Sequence, residues 1–225
     1  ESNFAVTVMA ISSDQLRFSH GLAARLKEDP AEAGRAIAEA IQPEVNSDTL
    51  ALFIFPDGIT LNFDRLLASL EGQLNLDHLL PLVGGTAGDN LAGKRTYQYH
   101  NDQVVSDRVA WGLLSGSAQM AWAVNHGCIS MGIEHKLTRT EGNVIYEIDN
   151  RPALDVIKDY LSDDELSDWG TALLSFPFGF ETTGAMIEDY DPYLIRGMMS
   201  KDDETGAVAI PTEAPEGTRV WMLRR

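Results

Sequence analysis

The sequence predicts an α+β fold with mixed sheets. It opens β-α-β-α-β, continues as an antiparallel meander, packs helices on the sheets, and ends in a second, partial α+β domain. Three observations carry this reading. Up to Val83, short apolar runs alternate with stretches of helical periodicity. From Arg95 onward the pattern changes to short strand-like runs separated by turn residues. Near Asn150 a new helix signal follows the meander, which places a domain boundary there: residues 1–150, then 151–225.

Phe4, Val6, Val8 and Ile11 form a β-branched run expected to be the first strand. Ser12-Ser13-Asp14 reads as a turn, and Phe18 to Leu26 as room for a short helix. Asp29-Pro30 is a helix start, with Asp as N-cap and Pro at the first helical position. Ala33, Ala36, Ile37, Ala40 and Ile41 give that helix (30–42) a small apolar face suited to close packing on a sheet. Leu50 to Phe55 reads as a strand covered on both faces, closed by the turn Pro56-Asp57-Gly58. Asn62 caps a second helix (62–72) carrying Phe63, Leu66, Leu67 and Leu70, with Gly72 as its expected end. A third strand, Leu79–Val83, then delivers Gly84-Gly85-Thr86-Ala87-Gly88-Asp89-Asn90.

Within the meander, Thr96–His100, Val109–Leu114 and Met120–Val124 are expected strands, and Leu137–Thr140 with Val144–Ile148 a hairpin. Asp149 or Asn150 is the expected cap of a helix over 152–162. Asp163, Asp164, Glu165 and Asp168 read as a solvated helix end or loop. Phe176–Phe180 reads as a loop of exposed-capable aromatics, followed by strands at Leu194–Met199, Ala207–Ile210 and Arg219–Leu223. The last of these reads as an unfinished edge strand, a pairing surface for a partner.

Composition narrows the function classes. Lys and Arg number 17 against 34 Asp and Glu, for a formal net charge of −17. Such a field repels phosphate backbones and anionic lipid, so neither nucleic acid nor membrane surface is an expected partner. Cys128 is the single cysteine, which rules out a disulfide within the chain and fits a cytoplasmic setting. No apolar run reaches membrane-spanning length, and residues 1–11 lack signal-peptide features.

In open α/β sheets, ligands bind beyond the carboxyl ends of strands, and Gly84–Asn90 is such an end. It is neither a G-x-G-x-x-G dinucleotide fingerprint nor a G-K-[ST] phosphate loop. Its small residues leave room for a ligand. Gly84, Gly85 and Gly88 offer backbone N–H groups, Thr86 a hydroxyl and Asp89 a carboxylate, while Arg139 and Arg196 are candidate carboxylate clamps. The expected ligand is a small metabolite such as an amino acid. No catalytic constellation is legible: there is no G-x-S-x-G elbow, Ser115-Gly116-Ser117 reads as a turn, and Cys128 beside His126 reads as a small buried thiol. No catalytic residue and no metal site are therefore expected; His126-x-Cys128 with His135 is a weak group for a metal.

Several blocks resemble the FIST family of bacterial and eukaryotic signal-transduction sensors. They are Pro81–Gly88, Asp107–Gly116, Gly127–Gly132, Leu137–Asn143 and Val144–Leu154, the last ending in Glu-Ile-Asp-x-x-Pro-Ala-Leu, with Arg196 and Asp202–Ile210 beyond. The resemblance covers most of the chain as a FIST N-terminal domain followed by part of a FIST C-terminal domain, which in the family continues past the equivalent of Arg225. Arg17–Asp29 looks like a subgroup insertion. The resemblance implies a non-enzymatic sensor that regulates a histidine kinase, chemoreceptor or cyclic-dinucleotide enzyme, with homo-oligomerisation an open option. Two alternatives stand beside it, the first also implied by the resemblance and the second read from the residues. One is a haem-binding nitric-oxide sensor, for which His20, His78, His100, His126 and His135 are the histidines available and His126 is preferred. The other is a protein-interaction scaffold without small ligand, using the 218–225 edge and the Phe176–Phe180 loop.

Overall fold

The computed structural model describes residues 6–74, 76, 80–90, 92–123, 125–181 and 193–225. Its secondary structure is α+β. The first unit contains β1 (Leu16–Ala24), α1 (Pro30–Ile41), β2 (Thr49–Pro56), α2 (Phe63–Gln73), β3 (Leu82–Gly84), β4 (Gln98–His100), β5 (Gln103–Val105) and β6 (Arg108–Gly116). β1, β6, β2 and β3 form one sheet in that order, and β4 with β5 form a separate hairpin.

Sheet order revises the opening motif. Among the described strands only β2 and β3 pair in parallel; β6 lies between β1 and β2 and runs antiparallel to both. β1 itself is not the expected strand. Val6, Val8 and Ile11 lie exposed outside any strand and Phe4 lies outside the described residues, while the segment read as a short helix or an insertion contributes most of β1, which pairs with β6 along its whole length. Packing decides this over β-propensity. Gly21 sits against the indole of Trp111, where an added Cβ would fall 2.5 Å from Cζ2, so that ring has one place to lie flat on β1.

The two helices start where their caps predict. Asp29 accepts the Glu32 N–H at 3.0 Å and Asn62 accepts that of Arg65 at 3.3 Å. Gly72 does not end α2, which runs to Gln73. The close approach of the small face of α1 is to α2 as much as to the sheet: the Ser69 hydroxyl donates to the Ala31 carbonyl at 2.7 Å. Ala33, Ile37, Ala38, Ile41, Leu66 and Leu70 are wholly buried between the helices and the strands, with Leu52, Val109 and Leu113.

The second unit contains β7 (Ile129–Glu141), β8 (Val144–Ile148), β9 (Arg151–Pro152), α3 (Ala153–Lys158), α4 (Asp163–Ser167), α5 (Trp169–Ser175), β10 (Phe178–Glu181), β11 (Tyr193–Arg196), β12 (Ser200–Lys201), β13 (Val208–Ala209) and β14 (Arg219–Arg224). Its sheet runs β11-β10-β14-β7-β8-β13-β12, with β9 beside β8, so it draws strands from both sides of residue 150. Its own core gathers Leu137, Ile145, Ile148, Ile157, Phe176, Phe178, Val220 and Met222.

Five expectations fail here. Met120 to Ala123 form no strand; Val124 lies outside the described residues. Asp149 and Asn150 cap no helix. They form a two-residue hairpin turn with φ of 52° and 62°, a conformation Asp and Asn tolerate, and Pro152 precedes α3. α3 stops at Lys158, where i→i+3 bonds tighten the chain through Leu161. The Phe176–Phe180 stretch is no exposed loop: Phe176 and Phe178 are 1% and 0% exposed, and the last three residues lie in β10. Nor is the Arg219–Arg224 strand an edge, since β14 pairs with β10 on one side and β7 on the other. The aromatic stretch is thereby taken into the core and the 219–224 edge into the sheet, with Arg219 and Arg224 still exposed.

The units meet at the start of α2. The Phe63 N–H donates to the Pro211 carbonyl at 2.9 Å, and Asp64 accepts the Glu213 N–H at 2.8 Å. Glu213 in turn accepts from Asn62 and Arg65 at 2.8 and 2.7 Å.

Candidate functional site

The carboxyl end of β3 separates two clefts. Gly84 is pressed onto β2, where an added Cβ would lie 1.8 Å from the Ile54 carbonyl oxygen. That approach lets the chain leave the sheet at Gly85 and Thr86 with a cavity on either side. The smaller, about 220 Å³, is lined by Ile54, Pro56, Phe63, Leu82, Val83, Gly84, Gly85 and Thr86. The larger, about 310 Å³, is lined by Phe55, Gly85, Thr86, Ala87, Tyr97, Gln98, Tyr99 and Ala110. Gly85 and Thr86 belong to both.

The backbone at this turn is less available than its glycines imply. The Gly85 N–H donates to the Ile54 carbonyl at 3.3 Å and that of Ala87 to Pro56 at 2.9 Å. The N–H groups of Thr86 and Gly88 donate to no described residue. Asp89 turns its carboxylate onto the next loop, accepting N–H bonds from Gly93, Lys94 and Arg95 at 3.2, 2.7 and 3.2 Å. Those donors, Lys94 first, hold its carboxyl below the usual range.

The two arginines lie apart from this turn, and neither lines either cleft. Arg139 pairs with Glu147 at 3.1 Å and stacks 4.8 Å over the Tyr146 ring. Arg196 donates to the Ile195 carbonyl at 3.2 Å and has no carboxylate within ion-pair distance among the described residues. Burial lowers its guanidinium pKa, with Asp64 nearby acting the other way.

The histidines also separate. His78 lies outside the described residues. His126 Nδ1 accepts the Cys128 N–H at 2.9 Å in a segment without strand structure. His135 is 8% exposed and held by Asp149 at 2.6 Å through Nδ1 and by the Tyr160 hydroxyl through Nε2, away from His126-x-Cys128 as a ligand group. His20 of β1 and His100 of β4 touch at 2.8 Å, tying the β4–β5 hairpin to the sheet. Among the described residues, no three His, Cys, Asp or Glu side chains are grouped to hold a metal ion. Ser115 lies buried within β6.

Sequence reasoning passed over the walls of the larger cleft. Phe55, Tyr97 and Tyr99 are about half exposed or more, at 48%, 48% and 71%. The run Thr96-Tyr-Gln-Tyr-His100 carried the signal: alternation sets a buried Gln98 between two exposed tyrosines, and all three line the cleft. Behind them Asp57 is 2% exposed. It accepts N–H bonds from Ile59, Thr60 and Asp107 at 2.9, 3.2 and 2.9 Å. Burial pushes the Asp57 carboxyl up, but these donors and the Thr96 hydroxyl outweigh it and leave the group an anion below the ordinary carboxylate range.

Among the described residues no helix is long and apolar enough to cross a membrane. No solved structure matches the chain significantly. An uncharacterized protein of the archaeon Methanocaldococcus jannaschii is similar, 28% identical over 138 residues, covering 58% of this chain and 26% of that protein. The chain thus spans about a quarter of the length of this curated relative. The FIST N domain model matches residues 2–151 and the FIST C domain model residues 153–225. With those two matches running through both sheets, the chain belongs to the FIST family, whose domains are associated with sensory signal transduction.

Proposed function

We propose that this chain is a sensory domain that binds a small metabolite, such as an amino acid, at the end of β3 and passes its occupancy to a signalling protein. The observation that carries the reading is the Gly85–Thr86 turn, set between two clefts of about 220 and 310 Å³. It lies where ligands bind in sheets of this kind, and the larger cleft combines aromatic walls with few polar groups. A route outward supports the second half of the proposal. Phe63 lines the smaller cleft, and its N–H holds Pro211 of the second unit. The partner classes are those the family resemblance implies, a histidine kinase, chemoreceptor or cyclic-dinucleotide enzyme.

Thermal-shift screening against the amino acids and related metabolites tests this. A ligand at about 100 times its Kd adds about 2.7 kcal/mol. For a chain of this size that raises Tm by about 5–10 °C. Absence of any shift across the panel at saturating concentration overturns the reading. The haem alternative rests on the resemblance, and a visible spectrum after haem reconstitution of wild type and His126→Ala decides it.

A further inference from the structure

From Phe55, Tyr97, Tyr99 and Gln98 we infer that the larger cleft recognises a protonated primary or secondary amine, the ammonium end of its ligand. The inference rests on the sensing role proposed above and names the chemistry of that same site. Its carrying observation is an orphaned atom. Gln98 lines the cleft, is 3% exposed, and leaves Oε1 buried without a hydrogen-bond partner. A buried acceptor without a donor is costly, and a ligand that supplies the donor recovers that free energy on binding.

The carboxamide is held from behind by Thr96, whose Oγ1 accepts from Gln98 Nε2 at 3.2 Å. Oε1 is left as the free end of the amide, which asks for an N–H or O–H donor.

The rest of the cleft selects a charged donor. Phe55, Tyr97 and Tyr99 offer ring faces, which attract cations. Arg95 already sits 5.1 Å over the Tyr97 ring, so this wall holds a cation in the protein itself, and Phe55 and Tyr99 remain for a ligand. Asp57, next to the cleft residue Ala87 through a bridge, is held as an anion by N–H donors and has no ion-pair partner among the described residues, so a negative charge stands near the cleft. A net charge of −17 adds to the attraction. A carboxylate finds fewer partners: the Gly85 and Ala87 N–H groups are spent on Ile54 and Pro56, neither Arg139 nor Arg196 lines the cleft, and the Thr86 N–H is the lining backbone donor left to it.

The test uses three probes with one hydrocarbon body: cyclohexylamine, cyclohexyltrimethylammonium and cyclohexanecarboxylate, titrated into the whole chain and followed by amide chemical shifts. Cyclohexylamine is expected to move residues 85–87 and 97–99. It is expected to bind about tenfold more tightly than the quaternary probe, the equivalent of one hydrogen bond, and the carboxylate least. Tyr99 is largely exposed, so Tyr99→Leu keeps the fold; it is expected to weaken both cations about fivefold and leave the carboxylate unchanged. Gln98→Met is expected to erase the preference for the amine over the quaternary probe. Equal binding of carboxylate and amine, shifts elsewhere in the chain, or indifference to both variants overturns the inference. If an amino acid stabilises the protein while cyclohexylamine fails to bind, sensing stands and recognition of the ammonium end falls. If neither binds, both fall.

Discussion

At the scale of single residues, neighbouring glycines at the end of β3 have opposite roles. A Cβ on Gly84 collides with the Ile54 carbonyl, whereas one on Gly85 meets nothing within 4 Å. Gly84→Ala forces β3 off β2 and is expected to destabilise the protein by about 3 kcal/mol. Gly85→Ala is expected to stay within about 0.5 kcal/mol of wild type and to alter ligand binding instead, since Gly85 belongs to both clefts. Urea unfolding of the two variants checks this, and equal destabilisation would remove the distinction. Asp57 makes the companion prediction. Its folded pKa is depressed, so the unfolded chain binds its proton first as pH falls. Its stabilisation is complete above the unfolded carboxylate value of about 3.9 and is lost as pH drops through the lower folded value. Asp57→Asn is expected to flatten that part of the acid unfolding curve and to weaken the protein at pH 7 by about 1–3 kcal/mol, through lost N–H bonds. An unchanged acid limb would assign the sensitivity to other carboxylates.

At the scale of elements, what was legible had local causes. Asp29-Pro30 and Asn62 announced α1 and α2 because capping is a bond between residues three apart. Val109–Leu114 and the Leu137–Ile148 hairpin were legible because alternation and turn residues are local too. Two of the failures needed a distant partner. β1 is a strand because Trp111, ninety residues on, lies flat against Gly21. Phe176–Phe180 reads as a loop until β11 and β14 close around it. Asp149 has the composition of a helix cap, yet it serves a hairpin turn and holds His135. The candidate site was legible to the same extent. The β3 end was readable from its small residues, but the aromatic wall comes from β2, β4 and Tyr97 just before β4, and Gln98 gains meaning only with Thr96 beside it. The arginines were chosen for chemistry, and topology set both outside the clefts.

At the scale of the whole molecule, the proposed sensing role requires two cores with separate residues to respond together, and the start of α2 is where they are joined. Glu213 gathers the Asn62 amide and the Arg65 guanidinium, while its own N–H returns to Asp64. Phe63, between these residues, is at once a wall of the smaller cleft and a donor to Pro211. Movement of α2 on ligand binding is therefore transmitted to residues 211–213 if these bonds carry energy. A double-mutant cycle of Arg65→Ala and Glu213→Ala measures that. Both side chains are partly exposed, at 57% and 30%, so solvent screens the pair. The expected coupling is about 0.5–1 kcal/mol in unfolding free energy. Each single variant is also expected to reduce the hydrogen-exchange protection of Phe63 and Glu213, whose amides bridge the units. Additive effects, with unchanged protection at both amides, would mean that the junction holds the two cores together by shape alone and that the signal leaves the cleft by another path.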